Sequence, residues 1–218
     1  MAEEFTALGT ALIMMVVDFK KMAFEFKKFL GLDLTQAFPA LNIAENKLCY
    51  ADAQFEFCIV ADSDWNCKDS VNAYYKHSER RHEIGVRESV YLLALSGDFN
   101  ALYSIAHEVA HWGLINYFKI NFGLPEFERL DPVSKMVILQ IHENITDVLT
   151  ALLVFSEEEL LKMDTGDKAG FSSFIGKNQL ALAAYYCKHH KLLTENFFKN
   201  IAPKIWEQNQ IQRRLKNA

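Results

Sequence analysis

The chain has 218 residues, half of them hydrophobic and 23% charged, with a formal net charge of −5. That length and balance suit a single globular domain with a proper buried core. The acidic balance and the lack of any long basic run exclude a general nucleic-acid binder, and the short stretch Arg213-Arg214-Leu215-Lys216 reads as a solubilising tail.

An amphipathic helix is expected first, over residues 4–30. Phe5, Leu8, Leu12, Met15, Phe19, Met22, Phe26 and Phe29 recur in steps of three and four, with Lys20, Lys21, Lys27 and Lys28 off that stripe. A coiled-coil dimer is compatible with the pattern. One long helix packed on its own domain is the commoner cause, and the phenylalanine content favours it. Gly31 is placed to end the helix. A sheet region is expected over residues 47–95. Residues 47–51 and 54–61 read as a hairpin, since Phe55, Phe57 and Ile59 alternate with Glu56 and Cys58. Asp62-Ser63-Asp64-Trp65-Asn66 is a polar loop whose acid pair can hold a cation, although an exposed turn is the simpler reading. Residues 72–76 and 81–87 form a second expected strand pair, and Tyr91 to Leu95 is either a strand or the start of a helix.

The next segment, residues 98–120, carries the strongest signal. Asp98 is a good N-cap, and Ala101, Leu102, Ile105, Ala106, Val109, Ala110, Gly113 and Leu114 recur at helical spacing with no proline before Pro125. Inside this helix stands His107-Glu108-Val109-Ala110-His111, an H-E-x-x-H pattern. Two histidines four apart share a helix face and can bind one metal ion, and the glutamate between them can take a proton from a water activated on it. Taken alone, two histidines on an apolar helix can also be ordinary core residues.

A catalytic zinc needs a third protein ligand and keeps one position open. The helix expected over residues 133–155 offers it. Val137, Ile138, Ile141, Ile145, Val148, Leu149 and Leu152 make its apolar side, while Glu143 and Asp147, four apart, share a face. Glu143 can complete the zinc site, and Asp147 can accept the second ring N–H of a liganding histidine. A solvated acidic edge is the plainer alternative, made costly by the apolar run that embeds both carboxylates. Asp164 to Gly170, with Gly176 beyond, is a loop: a lid or, more simply, a connector. Helices over residues 178–215 close the chain, roughly 178–193, a short one near Glu195, and 203–215.

The four cysteines, Cys49, Cys58, Cys67 and Cys187, form no C-x-x-C pair and read as reduced thiols. Glu3 and Glu4 stand where a secretory signal would carry positive charge, and the apolar run from Ala11 to Val17 is too short to span a bilayer. The expected setting is cytoplasmic, with no membrane segment and a signal-independent route of secretion left open.

H-E-x-x-H followed on a later helix by E-x-x-x-D resembles the gluzincin metallopeptidases. Locally the chain is most similar to the ImmA/IrrE-type peptidases: Tyr103-Ser104-Ile105-Ala106 precedes His107, and Glu143 is followed by Thr146, Leu149, Thr150, Leu153 and Val154. Threonine twice replaces that group's alanine, and leucine its aromatic residue. The resemblance implies an α+β, zincin-like single domain, mostly helical, with a small sheet before the metal-binding helix. It implies one Zn2+ held by His107, His111 and Glu143, and Glu108 as the general base of a peptidase acting on one or few protein or peptide substrates. It also implies a sheet edge that pairs with extended substrate, for which residues 81–87 are the candidate. Tyr185, Tyr186, His189, His190 and His142 have the chemistry to steady an oxyanion, and no motif selects among them. The alternative is a catalytically silent zinc-binding regulatory protein on the same fold.

Overall fold

A computed structural model describes residue 13 and residues 17–34, 36–78, 80–120, 130–162 and 182–189. Contacts divide the chain into two compact units. One comprises Met1–Phe19, Asp131–Val148 and Glu157–Ala218, the other Lys20–Leu130 and Leu149–Ser156. Among the described residues the protein is mixed α+β, helices predominating over a three-stranded sheet.

Helix α1 spans Phe19–Phe29. The expected run over residues 4–30 is broken at Val17 and Asp18, which are not helical; of the residues before them only Ile13 is described, and it is helical. The break has a polar cause within the first unit. The Tyr186 hydroxyl accepts from the Phe19 N–H at 2.9 Å and donates to the Val17 carbonyl at 3.3 Å, so a side chain takes the place of a ladder partner. Beyond it Phe19, Met22, Ala23 and Phe26 are all buried. At the other end Gly31 has φ +66°, and the N–H groups of Gly31 and Leu32 bond back to the carbonyls of Lys28 and Lys27. This paired closure needs a left-handed residue, which glycine supplies without a Cβ clash.

The second unit holds the sheet. A helical stretch precedes it: α2 Ala40–Asn42, a wide π turn Ile43–Lys47, and α3 Leu48–Ala51. The expected hairpin is therefore corrected, because residues 47–51 are helical and do not pair. Their apolar stripe begins upstream, at Ala40, Ile43, Ala44 and Leu48, all buried at helical spacing, and a five-residue window cannot show it. Strands β1 Phe55–Val60, β2 Ala73–His77 and β3 His82–Arg87 lie in the order β1-β3-β2, with β1 parallel and β2 antiparallel to β3. The register aligns Phe55, Phe57 and Ile59 with His82, Ile84 and Val86, and these with His77, Tyr75 and Ala73. One face is thus mostly apolar, and the other carries Glu56, Cys58, Tyr74, Lys76 and Glu83. The second expected strand pair is present as β2 and β3. The expected substrate edge at residues 81–87 is corrected: β3 is the central strand, and its backbone groups are taken on both sides.

Helix α4 is Glu88–Leu95, so Tyr91 to Leu95 is helix, not strand. Helix α5 is Phe99–Trp112, continued by a π turn over Gly113–Tyr117. Three residues, Ser96, Gly97 and Asp98, join α4 to α5. Gly97, at φ +86°, and Asp98 close α4 by bonding to the carbonyls of Ala94 and Leu93, and the Asp98 carboxylate then caps α5 by accepting from the Ala101 N–H at 2.9 Å. Gly113 lets Phe26 approach: a Cβ there would lie 2.9 Å from the ring. Phe26, fully buried, packs among Phe29, Trp112, Tyr117 and Phe118, ring centroids 5.7–6.3 Å away, and ties α1 to the end of α5.

Helix α6 is Pro132–Val154; Val148 and the residues before it belong to the first unit, Leu149 onwards to the second. Asp131 caps it, accepting from the Val133 and Ser134 N–H groups at 3.0 Å, with Pro132 at the first helical position. Every residue from Asn144 to Leu153 is buried. Among the described helices it alone is long and apolar enough to cross a membrane, and 61% of its apolar window is buried. Helix α7 is Glu157–Lys162, and residues 182–189 are helical. The loop from Asp164 to Gly170, Gly176, His190, Arg213 to Lys216, and the helices expected near Glu195 and over 203–215 lie outside the described residues.

Candidate metal centre

The Asp98 cap and the burial of Ala101, Ile105, Ala106, Val109 and Ala110 settle which way α5 faces. Besides Trp112, its other inward positions are polar. Glu108 and His111 are buried at 8% and 7% exposure, and His107 is half-buried. The two imidazoles meet edge to face at 84°, with their Nε2 atoms 3.1 Å apart. Two nitrogens at zinc–nitrogen distances of about 2.0–2.1 Å and 3.1 Å from each other subtend about 95–102° at the ion, close to a tetrahedral angle. The spacing of the pair is compatible with both nitrogens ligating one tetrahedral metal ion.

Residues around His111 come from the sheet and from the π turn. The Tyr75 ring of β2 lies parallel to the His111 ring, centroids 6.2 Å apart at 9°. Asn116 donates from Nδ2 to the Tyr75 hydroxyl at 2.7 Å. Burial pushes the Tyr75 phenol well above its ordinary range, against the Asn116 hydrogen bond. Two residues along β2, His77 is 3.4 Å through Nδ1 from that hydroxyl and stacks on His82 at 4.6 Å. Burial, and then the neighbouring His82, hold His77 below its usual value. His82 Nδ1 bonds to Asp52, whose same oxygen accepts from the Trp112 indole at 3.1 Å. Burial alone would raise the Asp52 carboxyl. The bonds from His82, the Gln54 N–H and Trp112 outweigh it and leave the group below the ordinary carboxylate range. Hydrogen bonds and ring contacts thus link Trp112, Asp52, His82, His77 and Tyr75 in series to His111.

The other expected residues lie on different elements. Glu143 and Asp147 stand on α6, in the first unit, Glu143 exposed and Asp147 buried at 6%. His142 is buried beside them, and its carbonyl accepts from the Thr146 hydroxyl at 2.8 Å. Tyr186 bridges Val17 and Phe19, a structural duty, and Tyr185 packs on His189, centroids 4.4 Å apart. The Asp62–Asp64 turn is anchored: Asp62 accepts from the Arg87 side chain at 3.1 Å and from the Ser89 N–H at 3.2 Å. All four cysteines are free thiols.

Spacing alone did not reveal Tyr75, Asn116, Asp52 and His82. Only strand register and the π turn bring them to α5. A second group with metal-ligand chemistry, Glu56, Cys58 and Glu83, lies on the polar face of the sheet. Arg81 already sits in it, 2.5 Å from Glu56, 2.7 Å from Glu83 and 3.6 Å from the Cys58 sulfur. A cation is thus supplied by the protein itself. Comparison of the chain with protein-family models, with curated proteins and with solved structures returns no match.

Proposed function

We propose that this protein is a zinc-dependent metallopeptidase of zincin-like fold, hydrolysing peptide bonds in one or few protein targets. The observation that supports it most is the approach of the His107 and His111 Nε2 atoms to 3.1 Å on a helix that also buries Glu108. His107 and His111 would hold the ion. Glu143 as third ligand, and Asp147 as acceptor for a liganding imidazole, rest on the sequence pattern.

When bound, zinc polarises a carbonyl and makes water acidic enough to attack it at neutral pH. Glu108 does the proton work. Its carboxylate takes a proton from the attacking water as the new C–O bond forms, then gives that proton to the nitrogen as the C–N bond breaks and the amine departs. Its burial keeps bulk water from competing for the proton. Of the strands whose outer edges are open among the described residues, β1 and β2, β2 carries Tyr75 against His111. An extended peptide added along β2 through its backbone would run beside the histidines.

The test is Glu108→Gln. The full-length zinc-loaded protein should cleave members of a mixed peptide pool. The variant should keep its zinc and its melting temperature yet lose about a hundred-fold or more in rate. A variant that cleaves at the wild-type rate removes Glu108 from the mechanism, and a wild-type protein that binds zinc but cleaves nothing favours the silent regulatory reading.

A further inference from the structure

Imidazoles that hold a metal need their rotation arrested, and in metal sites this is commonly done by a hydrogen bond to the nitrogen that does not face the ion. The described surroundings of His111 offer a second restraint. Tyr75 presents its ring parallel to the imidazole, at 9° and 6.2 Å between centroids. That ring is fixed at both ends. Its backbone is locked into the β2–β3 ladder opposite Ile84, and its hydroxyl accepts the 2.7 Å bond from Asn116. Asn116 belongs to the π turn that continues α5, five residues past His111. A regular α-helical turn would carry residue 116 round to a different angle, so the wide turn sets the direction from which Asn116 reaches the phenol. Sheet, aromatic wall and motif helix are joined in one short loop of contacts.

We infer that Tyr75, held by Asn116, is a positioning residue that keeps the His111 ring in its metal-binding rotamer. The inference rests on the reading of His107 and His111 as zinc ligands. Tyr75 does not itself touch the ion in this account; it narrows the range of ring angles from which His111 must be recruited, and so raises affinity by pre-organisation.

Zinc alone, titrated into the full-length apo-protein against a chromophoric chelator well below the melting temperature, tests it. Tyr75→Leu removes the wall and should weaken zinc binding about ten- to a hundred-fold. Tyr75→Phe keeps the ring and loses the tether, so it should fall between wild type and Tyr75→Leu. Asn116→Leu removes the same hydrogen bond, and combined with Tyr75→Phe it should be no worse than either alone. Cobalt(II) in place of zinc supplies a readout that a merely structural role would leave unchanged: the ligand-field bands of the Tyr75→Leu protein should shift or broaden. If Tyr75→Leu does not fold, the Tyr75→Phe and Asn116→Leu pair decides. Wild-type zinc affinity and cobalt spectra in all folded variants would overturn the inference and leave the metal site standing, whereas a wild-type protein that binds no zinc would remove the metal site itself and the inference with it.

Discussion

Gly85 lies at the centre of β3, and a Cβ placed on it would fall 2.2 Å from the Tyr74 ring and 2.5 Å from its hydroxyl oxygen. No side chain fits there unless Tyr74 leaves. Gly85→Ala should therefore evict the Tyr74 ring, together with the 2.5 Å hydrogen bond from its hydroxyl to Glu83 and the packing on Trp65 at 5.6 Å. The hydrogen bond to a carboxylate whose side chain is only 12% exposed is worth about 1.5–3 kcal/mol. The aromatic pair adds about 0.5–1.5 kcal/mol. Replacing glycine in a strand returns about 0.5–1 kcal/mol. The net expectation is a loss of about 1–4 kcal/mol, read as a lower urea midpoint at unchanged slope. The same substitution in a Tyr74→Ala background meets no ring. It should be neutral or stabilising by about 0.5 kcal/mol, because only the glycine term remains. Zinc affinity should not change, since alternation places Tyr74 on the opposite sheet face from Tyr75. An equal loss in both backgrounds would refute the steric explanation.

Two further outcomes are expected. Folding holds Asp52 below the ordinary carboxylate range, so its contribution is complete above about pH 4 and disappears as pH falls through the lowered value. His77 is likewise held low, so stability should begin to decline as pH drops below about 6.5, where the unfolded chain takes up the proton first. Urea midpoints measured from pH 7 to pH 3 should show both limbs, and Asp52→Asn should flatten the lower one; an unchanged acid limb would mean that Asp52 is not responsible. On α6, Glu143→Gln should weaken zinc binding more than Asp147→Asn, which should cost about ten- to a hundred-fold. Chelator competition at one pH ranks them, and the reverse order would exchange the two roles.

Where local chemistry alone determines an element, the sequence was enough. Asp98 caps α5, Gly31 closes α1 and the α5 stripe is buried, because each depends on residues within one turn of one another. The same locality made His107, Glu108 and His111 visible. Most of what failed depends on distant partners, and one miss on a pattern longer than the window read. The α1 repeat runs through Asp18 without a fault, but the Tyr186 hydroxyl, 167 residues beyond Phe19, interrupts the backbone. Residues 47–51 look like half a hairpin until the buried stripe from Ala40 is counted with them. Central and edge strands also read alike in sequence: β3 has the alternation of an edge, and only the parallel pairing with β1 puts it in the middle. For the same reason Tyr75 and Asn116, 41 residues apart, left no motif to find.

The central claim is that His107 and His111 hold a zinc ion. The most direct test is metal content by elemental mass spectrometry on the full-length protein, wild type beside the His107→Ala/His111→Ala double variant, both purified without chelator. The account predicts close to one zinc per wild-type chain, essentially none in the double variant, and a lower melting temperature for the variant because bound metal stabilises the folded chain. Full zinc retention by the double variant would contradict it.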